Sequence, residues 1–562
     1  MNALLIHNDN LPSQLIDAFQ HKMKFEVTQA ALASPNFSFD KEADRELMFS
    51  LKDNRYNVVF LPVTLSDSNY LELSGLRLAL HIRLSPLMNH TKVPIVFIGH
   101  ESKEQLAKLS DYGAFLFTTG IFVTPSFDFS EVETYYDWII KFWRPQSDSL
   151  LNEKEYANFL NKTKVNSSPN YLSHHSVENE LALSRWSKYL NFDSAIPQVV
   201  NNINTELNFK HYAELYPVEP LDPIQVPEIK GAGSILLIDD EFKKGWSDFF
   251  KLLVKGNQDI TYDHLDIDFK AAVSRAEIIG ASTSKIIDFN PDVIILDLRL
   301  CDEDFDLEAN PSELTGTEIL KAAKKINPGI SVIIFSATNK IANLQSLQKQ
   351  GVNGFIRKDA RNYRNSISEL CGIIDASLLS ASWLKKMYDK TDECTIHLKR
   401  QRKQRKLNGE FIRAIIIYLE LAFDSLLSIR NRYGYDPSFT YYFLIIEACG
   451  KELIDENDSV KVGGKYYHKW RGSDQYLKHF DYNTKRKTGR RLESKNKRIV
   501  YNEKMLNVTD KANVKDVNIF KLVEIRNNFH HPDLIKNDSI ALIQMGDTKD
   551  VFEVVYKLIL SL

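Results

Sequence analysis

DVIILDLRL, residues 292–300, sets four apolar residues, Val293 to Leu296, ahead of a single aspartate, Asp297. A run this short and this apolar reads as a strand buried on both faces. Three similar runs accompany it: SILLIDD at 234–240, SVIIFSAT at 331–338 and NGFIRK at 353–358, with helical spacing between them. Strands interleaved with helices predict a parallel sheet covered on both sides. Its functional groups then collect at the carboxyl ends of the strands.

Those ends carry Asp239, Asp240 and Glu241 after the first run, Asp297 after the second, Ser336 and Thr338 after the third, and Lys358 after the fourth. Two or three carboxylates brought together repel unless a divalent cation lies between them, and an all-oxygen ligand set suits Mg2+. A hydroxyl and a lysine on the opposite side fit an anion such as a phosphoryl group. The pattern over 233–380 resembles the receiver domain of two-component response regulators, which has a flavodoxin-like, doubly wound sheet. The resemblance implies that Asp297 accepts a phosphoryl group, supplied by a sensor histidine kinase or phosphotransfer protein. It also implies that Asp239 or Asp240 holds Mg2+ together with Asp297 and the main-chain carbonyl of Arg299. Ser336 or Thr338 would hydrogen-bond the phosphoryl group, and Lys358 would pair with it. One departure is the acidic loop CDEDFDLEANPSEL, 301–314, where the family carries a proline turn close behind the acceptor.

Residues 1–140 repeat the runs as ALLIHND, YNVVFLPVTL, VPIVFIGH and GAFLFTT. Superposing the two sets places His7, Asn8 and Asp9 over the acidic triplet, Pro62 over Asp297 and Thr118 over Lys358. Acceptor and lysine are both missing, so this region is expected to be a degenerate receiver-like domain serving dimerisation or docking. A helical connector at 150–215 and a proline-rich linker at 216–232, with Pro217, Pro220, Pro223 and Pro227, join it to the second receiver. His174 and His175 in the connector are read as a solvated helix start.

Bulk composition adds exclusions. A formal charge of -3 with 26% charged and 43% hydrophobic residues carries no global bias toward nucleic acid or membrane. Cys301, Cys371, Cys394 and Cys449 lack CxxC spacing, which excludes a disulfide framework or zinc site and predicts buried, reduced thiols. No signal-peptide pattern opens the chain, and the apolar stretch at 414–429 is interrupted by Glu420 and Asp424. A cytoplasmic protein that spans no membrane is expected.

A basic run, HLKRQRKQRK at 397–406, is read as the break before a helical bundle spanning 390–562. Within that bundle an insertion at 461–505 carries fourteen lysines and arginines against four acids over 461–504. Interleaved aromatics accompany them, a composition suited to single-stranded nucleic acid. Lys485, Arg486, Lys487, Arg490, Arg491 and Trp470 are the candidate RNA contacts. EIRNNFHHPD, 524–533, then presents Arg526, Asn527, His530 and His531 near a helix end that Pro532 stops. Arg526 with His531 forms R-N-x-x-x-H, which resembles the RNA-cleaving motif of the HEPN superfamily, helical-bundle proteins that include toxin and antiviral ribonucleases. Imidazole suits removal of the 2′-hydroxyl proton, and guanidinium suits the charge gathering on phosphorus, with no metal required. Helical geometry pairs Arg526 with His530, four residues on, whereas the motif's spacing selects His531. The resemblance implies 2′,3′-cyclic phosphate products and a site shared between two protomers of a homodimer.

The expectation is a multidomain α/β plus all-α chain. It would be a phosphorylation-controlled response regulator with a HEPN-type endoribonuclease output acting on tRNA or mRNA in defence or stress. The alternative is a non-catalytic two-component signalling protein whose helical domain binds RNA or a protein partner. No helix-turn-helix pattern supports a transcriptional regulator.

Overall fold

The computed structural model describes residues 2–7, 26–31, 39–51, 56–65, 73–85, 93–110, 112–124, 153–165, 174–219, 221–269, 274–305, 313–337, 351–404, 407–427, 435–462, 465–473, 475–481, 505–508, 513–514, 517–530 and 543–562, with single positions at 13, 17 and 510. In the first domain five strands, β1 (Asn2–His7), β2 (Glu26–Ala31), β3 (Val58–Pro62), β4 (Ile95–Ile98) and β5 (Ile121–Val123), form a parallel sheet in the order β2-β1-β3-β4-β5. Helices α1 (Phe39–Leu51), α2 (Ser74–Leu84) and α3 (Lys103–Leu109) accompany it. Four connector helices follow: α4 (Glu153–Lys162), α5 (His174–Tyr189), α6 (Pro197–Thr205) and α7 (Leu207–Leu215).

The second sheet repeats the first. Its strands are β6 (Gly233–Ile238), β7 (Ile260–His264), β8 (Val293–Leu296), β9 (Ser331–Ser336) and β10 (Gly354–Arg357), in the order β10-β9-β8-β6-β7 and all parallel. Helices α8 (Trp246–Val254), α9 (Arg275–Phe289) and α10 (Thr315–Ile326) pack with it. Every residue of β8 and β9 is buried, because helices cover both faces. The strand order reverses between β6 and β8, and a crevice opens at their carboxyl ends.

The repeat extends to single residues. Gly316 N–H donates to the Leu298 carbonyl at 3.1 Å, and Gly75 N–H donates to the Val63 carbonyl at 3.0 Å. A Cβ on Gly316 would lie 2.2 Å from the Asp297 carbonyl oxygen, and one on Gly75 would lie 1.9 Å from that of Pro62. Each glycine lets a helix start against the residue after the strand.

Helix α11 (Tyr363–Lys403) runs for 41 residues, about 60 Å at 1.5 Å per residue. Its first half fills the core of the second sheet through Ile367, Leu370, Ile374 and Leu378, and its second half fills the bundle core through Leu384, Met387, Cys394 and Leu398. The helix therefore crosses 380–390, the interval between the two expected domains, without interruption. The helix ends inside the basic run 397–406, which supplies Arg400, Arg402 and Lys403 to the last turn, where cations complement the helix dipole, and the next helix begins at Gly409. By length and composition this helix could cross a membrane, but its apolar positions are divided between two protein cores.

The bundle continues with α12 (Gly409–Leu427), α13 (Tyr435–Leu453), α14 (Ile519–His530) and α15 (Met545–Leu560). Where only helices and a basic excursion were expected, β11 (Ile454–Val462), β12 (Lys465–Trp470) and β13 (Tyr476–Asp481) form an antiparallel sheet. Gly463-Gly464 between alternating β-branched and aromatic residues is the hairpin signal that explains it. All four cysteines are buried and free.

The proline-rich segment is extended and pinned along its length. Ile224 N–H donates to the Tyr189 carbonyl, Lys230 and Gly231 N–H to Asp375 Oδ1, and Asn257 Nδ2 to the carbonyls of Ile229 and Gly231.

Candidate functional site

The ladder between β6 and β8, in which Ile238 pairs with Leu296, sets Asp239 beside Asp297 just beyond the sheet. Asp239 is fully buried and Asp297 is 5% exposed. One oxygen from each of Asp239, Asp240 and Asp297 lies within 4.8 Å of the others. Main-chain groups hold the acceptor candidate: Leu298 N–H donates to Asp297 Oδ1 at 2.6 Å and Arg299 N–H at 3.3 Å. Glu241 N–H donates to Asp239 Oδ1 at 2.8 Å.

Lys358, delivered by the end of β10, donates to Asp297 Oδ2 at 2.6 Å and sits 2.9 Å from Asp239 Oδ2. The rings of Phe335 and Trp246 lie under its ammonium at 5.1 and 5.7 Å. Buried Ser336 closes β9 beside this group. Thr338, the other expected hydroxyl, lies outside the described residues.

Electrostatics at the site are unbalanced. Burial raises the Asp239 carboxyl to about 6, a shift that Lys358 opposes and Asp297 reinforces. Burial and the neighbouring charges of Glu241, Asp239 and Asp297 lift Asp240 well above its ordinary value. Burial alone would lower Lys358, but the facing carboxylates of Asp239 and Asp297 hold it well above the usual lysine range. One lysine against three carboxylates leaves net negative charge in a low-dielectric crevice, the condition a divalent cation relieves. The oxygen-only donor set and its raised carboxyls fit Mg2+.

Sequence reading missed the group bordering this crevice. Glu241 Oε2 accepts from Asn179 Nδ2 on α5 at 2.8 Å, and Lys244 Nζ donates to Glu241 Oε1 at 2.8 Å while lying 3.0 Å from Glu180. No motif links Asn179 to a glutamate sixty-two positions away.

In the first domain the same geometry lacks the chemistry. The register of β1 and β3 sets His7 and Pro62 where Asp239 and Asp297 stand, and Pro62 has no N–H to give to the ladder. Thr118 does not occupy the lysine's position. GAFLFTT forms a 3-10 turn, Gly113–Phe117, that buries the adjacent Phe115 and Leu116 and exposes Phe117, and β5 follows it. Val123 pairs with Phe97 as Phe355 pairs with Ile334, so counting three residues on from each reaches Lys358 in one domain and Ser126, outside the described residues, in the other.

In the bundle, Arg526 lies on α14 with its guanidinium 3.0 Å from Glu447 Oε1 of α13. Asn527 and His530 belong to the same helix, His530 as its last residue. His531 lies outside the described residues, as do Lys485, Arg486, Lys487, Arg490 and Arg491. Trp470 ends β12 half-buried against the bundle core.

Residues 10–124 match the family model Inactive Receiver domain. Similar solved structures include the signal receiver domain of a putative Luxo repressor protein from Vibrio parahaemolyticus, 20% identical over 27% of this chain and 94% of that one, with a TM-score of 0.19. NtrX from Brucella abortus is 20% identical over 28% of this chain, with a TM-score of 0.19, and the chain covers only 29% of it. A putative two-component system response regulator/GGDEF domain protein is 10% identical over 67% of this chain and 98% of that one, with a TM-score of 0.18. No curated protein matches the chain.

Proposed function

We propose that the chain is a two-component response regulator in which Asp297 is the phosphoryl acceptor and the first domain is a non-phosphorylatable receiver. The observation that carries this reading is the buried convergence of Asp239, Asp240, Asp297 and Lys358 at the point where the strand order reverses. The donor would be a histidine kinase or phosphotransfer protein. A carboxylate oxygen of Asp297 attacks the phosphorus of a phosphohistidine, forming an acyl phosphate O–P bond. The P–N bond breaks, and the released imidazole keeps the electron pair and takes up a proton. Lys358 pairs with the arriving phosphoryl oxygens, and the Ser336 hydroxyl, with that of Thr338, hydrogen-bonds them. Asp239, Asp240, Asp297 and the main-chain carbonyl of Arg299 would hold Mg2+, which when bound offsets the carboxylate charge and that of the phosphoryl oxygens.

The output proposed for the bundle is metal-independent RNA cleavage in defence or stress, with Arg526 stabilising charge on phosphorus and His531, or His530, as the base. The R-N-x-x-x-H spacing at a helix end and the basic, aromatic segment beside it support this. Helix α11 shares its apolar positions between receiver and bundle, which gives a rearrangement at Asp297 a rigid path to the output. Purified protein incubated with total RNA, with and without a phosphoryl donor, tests it. Cyclic-phosphate ends that disappear in Arg526→Ala and His531→Ala are expected, and undiminished cleavage by both variants refutes it.

A second reading is favoured by two contacts: Arg526 is paired with Glu447, and Trp470 packs on the core. Here the bundle binds RNA or a protein partner without cleaving anything. Binding that survives both substitutions, without new RNA ends, selects this reading.

A further inference from the structure

The second receiver carries an extra helix at its site. Helix α5 lies along the loops that flank the carboxylates, and its contacts are specific. At one loop, Asn179 and Glu180 reach Glu241 and Lys244. At the other, immediately after Lys358, Trp186 Nε1 donates to the Asp359 carbonyl at 2.9 Å and Arg185 to the Ala360 carbonyl at 2.9 Å. Trp186 is fully buried and packs edge-on against Trp246 and Phe335, the two rings that lie under the Lys358 ammonium. A shift of Glu241 is therefore felt by α5 through direct contact, and a shift of Lys358 through the two carbonyls that follow it and the two rings beside its ammonium.

The far end of the connector is fixed just as firmly to the first domain. Lys210 on α7 is buried, bonds Asp44 of α1 and donates to Ser85 Oγ at 2.9 Å. Leu207 N–H donates to Asp40 Oδ2 at 3.2 Å, and Asp40 is gripped through both oxygens by Arg77 of α2 at 2.6 Å. Leu207 itself belongs to the first domain's core. Between the two ends, Glu206 joins α6 to α7, and burial together with the charges of Glu180 and Asp40 raises its carboxyl to about 7. One of those charges belongs to the receiver end and the other to the first domain.

We infer that the connector reads the occupancy of the Asp239–Asp240–Asp297 site and passes it to the inactive receiver, with Asn179 as the positioning residue at the entry and Lys210 as the anchor at the exit. This rests on the proposed metal and phosphoryl site, and it makes the inactive receiver a second destination of the signal, alongside the bundle reached through α11. Packed helices shift between discrete arrangements more readily than they deform, so a short, doubly anchored connector suits such transmission.

Hydrogen–deuterium exchange on the full chain, with and without Mg2+ and beryllium fluoride as the acyl-phosphate mimic, tests the inference. Protection is expected at 239–241 and 297–300 and, with them, altered exchange at 174–189, 207–215 and 39–51. In Asn179→Ala the local protection persists, while the change at 207–215 and 39–51 falls by about fivefold or more, the lower end of ordinary coupling between sites. Asn179→Gln, which keeps the amide donor, restores part of that distant change, whereas a general loosening of the fold would not respond to it. Exchange at 409–427 that matches the unsubstituted protein in the same ligand state verifies that each variant is folded. Local protection with no change at 207–215 and 39–51 in the unsubstituted protein overturns the coupling and leaves the site intact. No response at 239–241 and 297–300 overturns both.

Discussion

Replacing Asp239 by asparagine is expected to stabilise the metal-free protein, although it removes a side chain central to the proposed site. Asp239 is fully buried with its carboxyl raised to about 6 from an ordinary 3.8. A raised carboxyl binds more protons in the folded chain than in the unfolded one, so its effect on stability becomes unfavourable as pH climbs from about 4 to 6. Above that range the full difference applies. Roughly two pK units at 1.36 kcal/mol each put the penalty near 3 kcal/mol at neutral pH. Lys358 loses one of its two partners in Asp239→Asn but keeps Asp297 at 2.6 Å, so the net gain should fall to about 1–3 kcal/mol. Thermal unfolding of the full chain in chelator, followed between pH 4 and 8, reads it directly. The unsubstituted protein should lose stability across that window and regain it on addition of Mg2+. Asp239→Asn should start higher, show a flatter pH profile and respond weakly to Mg2+. A metal-free variant less stable than its parent at pH 7, or an undiminished Mg2+ response, would refute the electrostatic argument.

Gly316→Ala and Gly75→Ala each force a methyl to within about 2 Å of a carbonyl oxygen, and each should cost about 2–3 kcal/mol in denaturant unfolding. Only Gly316→Ala should also disturb Mg2+ binding, since the carbonyl it strikes belongs to Asp297. Glu447→Gln should weaken the hold on Arg526, two side chains 17% and 24% exposed, and cost about 1 kcal/mol in the same assay. If Arg526 acts on RNA, the variant should also shift the salt dependence of RNA binding.

The fold class was legible because parallel strands covered on both faces leave a plain mark: short apolar runs ending in polar residues. For the same reason Asp239, Asp240, Asp297 and Lys358 were legible as neighbours, since a doubly wound sheet brings the carboxyl ends of its strands to one edge. Three features left no such mark. GAFLFTT is as apolar as a strand buried on both faces, so the pattern alone does not tell it from the 3-10 turn it forms, and the ladder with β4 is made instead by Ile121 to Val123. Helix α11 passes through 380–390 unbroken because no glycine or proline interrupts that stretch and its apolar positions move from one core to the other along a single helix. Asn179 and Glu241 meet through tertiary packing of a connector whose own pattern shows only that it is helical.

The central claim is that Asp297 accepts a phosphoryl group with the help of Mg2+. Intact-mass measurement of the full chain after incubation with a small-molecule phosphoryl donor tests it most directly. The account predicts a single added phosphoryl group that requires Mg2+, is lost at alkaline pH as acyl phosphates are, and is absent from Asp297→Asn. An adduct that persists in Asp297→Asn, or none in the unsubstituted protein with Mg2+ present, would contradict it.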